Sequence, residues 1–160
     1  MFIKEIQECG LNYCENPHEV DVILITLDRT LNYTKLEIAA KALDNGARFF
    51  AANIDDTCPV EDGEILDAGA TISALEKRTR RKLEENFGKP SKYMLNEAIS
   101  RLGISANKCL IIGDRLETDI AMGNNFGIDT VLVNTGVANN CNKSSKYKPT
   151  YQLTSITELL

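Results

Sequence analysis

The chain has 160 residues, enough for one domain or two small ones, and its 43% apolar and 26% charged residues are ordinary for a globular protein. A net charge of −5 gives no basic footprint for nucleic acid, and no apolar run approaches the roughly 18 residues that span a bilayer. Met1 to Cys9 carries acids and lacks the apolar core of a signal peptide, so a cytoplasmic protein is expected.

Ile3, Ile6 and Cys9 share one helical face, which Gly10 can close. Val20 to Leu27 (VDVILITL) is apolar and β-branched, as a buried parallel strand requires. Tyr33 to Asn45 is an amphipathic helix with Leu36, Ala39, Ala40 and Leu43 inward, Asn32 or Thr34 as cap, and Asn45-Gly46 as stop. Ala47 to Ala52 is a second buried strand. Residues 53–69, rich in Asp, Pro and Gly, read as a loop, and 70–81 as a helix running into the basic stretch Lys77 to Lys82. Pro90 then suits the first turn of a helix to Leu102, closed by Gly103. Residues 108–112 form a buried strand, 119–126 a helix closed by Gly127, and 130–134 a strand. Residues 138–148 are a polar loop, and 151–160 a short strand and helix. The alternation implies parallel α/β structure, with two small lobes meeting near 82–88. The five cysteines, Cys9, Cys14, Cys58, Cys109 and Cys141, match no paired zinc spacing and read as free thiols, with Cys109 buried at the start of its strand.

The chemistry concentrates where the apolar strand Cys109-Leu-Ile-Ile runs into Gly113-Asp114. In a parallel sheet, groups just past the strand's C-terminal end line the ligand crevice. Gly113 is expected to permit a sharp turn, leaving Asp114 at the rim with its carboxylate free. Asp119 falls five residues on, near a helix N-terminus that favours negative charge. Two such carboxylates suit Mg²⁺. On spacing alone, turn and N-cap roles remain a second reading of Asp114 and Asp119, and Lys89 taken alone reads as a surface lysine.

Taken together, Gly88-Lys89-Pro90, a helix, and a strand ending in Gly113-Asp114-Arg115-Leu116-Glu117-Thr118-Asp119-Ile120 closely resemble motifs III and IV of the haloacid dehalogenase (HAD) superfamily. The match is nearest to its NagD-like, 4-nitrophenylphosphatase and phosphoglycolate phosphatase branch, with its GKP, GDRLxTDI and LVxTGV segments; the last resembles Val131 to Val137 here. Leu27 to Tyr33 resembles that branch's cap segment, and Ala51 to Asp55 its ATNPD segment, with Ala52 and Ile54 replacing Thr and Pro. Gly69-Ala70 resembles the end of its glycine-rich substrate loop.

The resemblance implies an α/β fold, a HAD-like parallel sheet with flanking helices, built from part of a cap domain (1–83) and the C-terminal half of the Rossmannoid core (84–160). It implies phosphoryl transfer to an aspartate and then to water, with Mg²⁺ and a small phosphorylated metabolite as substrate. Lys89 would stabilise the phosphoryl group, Asp114 and Asp119 would form the metal site, and Asn53 and Asp55 would lie in the substrate-binding loop. The family's nucleophile motif, DxDGT, precedes the cap, and the cap-like sequence here starts almost at Met1. A truncated chain, inactive or barely active, is therefore expected. A rival alignment lays Thr26 to Leu31 on DxDGT, with Thr26 for the nucleophile and Asp28 as acid/base. Alternatives are a non-catalytic pseudo-phosphatase acting as a binding module, and an α/β domain with no retained site. Exposed sheet edges would favour homo-oligomers.

Overall fold

The computed structural model describes residues 2–136 and 145–159. The expected α/β class, with parallel sheets flanked by helices, is what it shows. Helix α1 (Phe2–Glu8) leads to β1 (Val22–Ile25), α2 (Tyr33–Asp44) and β2 (Arg48–Ala51). The two strands pair in parallel from Val22↔Arg48 to Ile25↔Ala51. The third strand of this sheet is β5 (Glu85–Asn86), paired with β2 through Phe50↔Glu85 and Ala51↔Asn86. Helix α2 starts where Asn32 accepts the Lys35 amide at 3.0 Å, and its small residues Ala39 and Ala40 pack close to the sheet. With α3 (Ala68–Thr79) it encloses a core of Leu43, Phe49 and Leu75, all essentially sealed from solvent. Strand β1 is shorter and less buried than its apolar sequence suggests: it lies at the sheet edge, and Val22 is exposed.

Residues 53–69 are not a simple loop. They contain a hairpin, β3 (Thr57–Val60) and β4 (Gly63–Leu66), turning at Gly63 with φ +131°. Four-residue strands with a proline in one of them give too little alternation to be read from sequence.

The second half carries α4 (Lys92–Leu102), β6 (Leu110–Gly113), α5 (Ala121–Phe126), β7 (Asp129–Val133) and β8 (Tyr151–Leu153). Helix α4 is capped by the Ser91 hydroxyl, which accepts the Met94 amide, so Pro90 precedes the cap instead of occupying the first turn. Gly103 and Gly127 end α4 and α5 in the left-handed conformation, as expected. The expected terminal helix is a short 3₁₀ turn, Ile156–Leu159. The sheet order is β6-β7-β8, all parallel. Leu95, Met122 and Ile128 form the core under one face, joined by Ile111 and the partly buried Cys109, which sits just before β6. Ile120 and Leu132 pack together beside Tyr147. Central β7 is buried along Thr130–Val133. Edge strand β6, expected to be buried, leaves Leu110 and Ile112 at 44% and 37% exposure. Cys9, Cys14, Cys58 and Cys109 are free thiols, while Cys141, Val137 and most of the 138–148 loop lie outside the described residues. No helix among the described residues is long and apolar enough to cross a membrane.

Candidate functional site

Lys89 sits in the turn between β5 and α4. Asn86 builds that turn: its amide donates to the carbonyls of Gly88 (3.1 Å) and Lys89 (3.0 Å), and its side-chain oxygen accepts the Gly88 amide (3.0 Å). A side chain at 88 would overlap the Ala52 carbonyl, so glycine is required by close backbone approach. The Lys89 ammonium donates to Asp119 Oδ1 at 2.7 Å. The lysine is about one-third exposed, but the carboxylate is almost fully buried, so the pair points a partly open cation from a sealed anchor.

Asp119 lies in a π-helical turn, Leu116–Ile120, between β6 and α5. Such turns widen a helix locally and recur at functional sites. Its Oδ2 accepts the Arg115 amide at 3.2 Å, so both carboxylate oxygens are engaged. Gly113 serves this residue, although not by turning sharply: its φ is not positive, and a Cβ there would collide with the Asp119 carboxyl. Asp114 is half-buried, and its carboxylate packs against Gly136, where a side chain would overlap it. Asp114 therefore does not stand with its carboxylate free as expected; it is already in contact. The neighbouring Thr118 hydroxyl is buried without a hydrogen-bond partner. Lys89, Asp119 and Gly113 thus meet directly, with Asp114 next in the chain.

The other two residues singled out from sequence follow β2. Asn53 donates to Asp67, the cap of α3, at 3.0 Å. Asp55 is held by Arg115: Nη1 donates to Asp55 Oδ1 at 3.0 Å, and Nη2 to the Thr57 carbonyl at 2.8 Å. Arg115 and Asn86 were not singled out from sequence. Arg115 lies inside the GDRLxTDI segment, and that is the signal that could have found it.

The rival alignment gains little here. Asp28 accepts from Thr30 and takes the Lys35 ammonium at 2.7 Å. The Lys35 hydrogen bond, followed by that from Thr30, lowers its pKa to about 2. A general acid/base needs a pKa near its working pH. Asp28 instead anchors the entry to α2.

A hard divalent cation needs only one or two carboxylates when water and phosphate complete its shell. Asp114 and Asp119 carry the carboxylate oxygens at this strand end, and Thr118, in the same turn, has a buried hydroxyl without a hydrogen-bond partner. No cluster of three His, Cys, Asp or Glu side chains suited to a metal occurs among the described residues. Asp114 and Asp119 are the residues that would hold such a cation, with water and phosphate completing its shell.

Residues 86–159 match the family model of HAD-hydrolase-like domains. The chain carries a HAD-like hydrolase domain. It is 39% identical over 157 residues to the sugar-phosphatase AraL of Bacillus subtilis, covering 98% of this chain and 57% of that protein. To the 5'-nucleotidase YutF of Bacillus subtilis it is 34% identical over 155 residues, covering 96% and 59%. The 4-nitrophenylphosphatase of Thermotoga maritima superposes with a TM-score of 0.87 at 30% identity, covering 98% of this chain and 60% of that one. The chain thus spans less than two thirds of the length of these relatives, while nearly all of it aligns with them.

Proposed function

We propose that this chain forms the lysine-and-carboxylate half of a Mg²⁺-dependent phosphatase site, which binds a small phosphorylated metabolite but turns it over slowly or not at all by itself. The observation that carries this reading is the Lys89–Asp119 pair, fixed at 2.7 Å on the strand-end segment that holds Asp114. Lys89 meets the phosphate as a point charge. Asp119 holds Lys89 in place and, with Asp114, offers oxygens to Mg²⁺. When bound, the metal would withdraw charge from the phosphoryl oxygens. Asn53 and Asp55 lie on the segment that would face the rest of the substrate. The relatives are sugar, nucleotide and nitrophenyl phosphatases by name, which supports a phosphomonoester as the ligand class.

The residues at the nearest motif-like position support slow turnover. A covalent route needs an activated nucleophile. Thr26, the residue in the nearest motif-like position, precedes an Asp28 whose carboxylate, held by Lys35 with its pKa lowered to about 2, is too weak a base to activate a hydroxyl. Hydrolysis of p-nitrophenyl phosphate with Mg²⁺ tests this. Wild type is expected to show no more than trace activity; robust hydrolysis lost in Asp114→Asn would overturn the half-site reading. The alternative, a non-catalytic pseudo-phosphatase, is favoured if Mg²⁺ and phosphate bind tightly and no partner polypeptide restores turnover. Exposed Leu110 and Ile112 on edge strand β6 support self-association. Sedimentation should then show a concentration-dependent dimer that Ile112→Glu abolishes; an unchanged profile in that variant would remove β6 from the interface.

A further inference from the structure

We propose that Arg115 is the positioning residue that docks the β3–β4 hairpin onto the Lys89–Asp119 site. This rests on the site reading above but goes beyond it, because it assigns a residue the job of joining the two halves of the chain. The main chain of Arg115 belongs to the site, since its amide donates to Asp119 Oδ2. Its side chain reaches the other half, where Nη1 binds the Asp55 carboxylate and Nη2 the Thr57 carbonyl, 60 and 58 residues away in sequence. Both charged groups are about four-fifths buried, so water screens the pair less than it would a surface ion pair.

The segment held in this way is the base of the hairpin. The Gly69 amide also bonds to the Asp55 carbonyl, and the Asp67 amide to the Asp56 carbonyl, but both lie within the first half. A two-stranded hairpin is marginal without packing, and most of β3–β4 is at least partly exposed. Its placement therefore depends on its base. The same stretch begins at Ala52, whose carbonyl abuts Gly88 beside Lys89. Residues 52–57 thus touch the lysine turn at one end and Arg115 at the other. A guanidinium can serve a carboxylate and a carbonyl at once through two fixed donors; an ammonium offers one compact point charge. Through these two bonds Arg115 holds the base of the hairpin next to the Lys89–Asp119 pair.

Amide hydrogen exchange on the full chain tests the assignment. In Arg115→Gln and in Asp55→Asn, exchange across residues 55–66 should rise at least tenfold, with β6 and β7 unchanged. The double variant should add little to either single one, and Arg115→Lys should show a smaller rise because one donor survives. Arg78→Gln, which breaks a surface pair with Asp44, should leave 55–66 as in wild type. Exchange at 55–66 within twofold of wild type in both single variants would overturn the proposal, as would an equal rise in β6 and β7, which marks general destabilisation. Mg²⁺ alone, added to wild type and followed at the Gly113–Asp119 amides, reports separately on the metal reading. A local exchange effect without a Mg²⁺ response supports the docking role and removes only the metal site.

Discussion

Lys89 and Asp119 differ in what they lose when separated. Asp119 is buried, so Lys89→Met strands a carboxylate and should cost about 1–3 kcal/mol in urea unfolding. In an Asp119→Asn background the same change should cost markedly less, because no charge is left unpaired. Equal costs in both backgrounds would show that the pair is not coupled. Asp28 titrates differently. Its folded pKa of about 2 lies below the ordinary aspartate value of 3.8, so its contribution is fully present above roughly pH 4. That contribution fades as pH falls toward 2 and Lys35 loses its partner. An NMR titration of the Asp28 carboxyl should give a midpoint near 2, and a midpoint near 4 would mean that the Lys35 contact does not persist in solution. Lys89, Asp114 and Asp119 could be singled out as candidates because a lysine turn and a strand-end Gly-Asp motif stand together in the sequence. Asn86 and Arg115 were less so, because the partners that give them meaning are backbone carbonyls or residues far away in the chain.

The strands and helices that position the site depend on glycines through contact more than through conformation. Gly113 leaves room for the Asp119 carboxyl, so Gly113→Ala should destabilise the chain by about 1–3 kcal/mol and displace the Lys89 pair. Near-wild-type stability, with the Lys89 and Asp119 resonances unmoved, would refute that steric role. Long apolar elements were readable: α2, α3 and α4 fall within two residues of the expected limits, and Asn32 caps α2 through its side-chain oxygen. Asn32→Ala should therefore cost about 1 kcal/mol. The π-helical turn and the β3–β4 hairpin were not readable. The first is a local widening with no periodic signature. The second is two four-residue strands whose pairing is fixed by the turn at Gly63 and by contacts made at its base.

Across the molecule, two parallel sheets present their C-terminal strand ends to a shared region: β2 through Ala52 and Asn53, β5 through Gly88 and Lys89, and β6 through Gly113 and Asp114. The apolar pattern showed that these strands exist, but not which of them are edges, since strand order depends on pairing over long sequence separations. That is why β1 and β6 are more exposed than their sequences suggest. Strand ends from both sheets converge on the Lys89–Asp119 pair, and the proposed function turns on whether this region takes Mg²⁺. The most direct measurement is a Mg²⁺ titration of the full chain followed by amide NMR, with Asp114→Asn alongside. The expected result is saturable shifts at Gly113 to Asp119 in wild type, enhanced by inorganic phosphate and lost in Asp114→Asn. Shifts absent from wild type, or equally present in the variant, would contradict the claim.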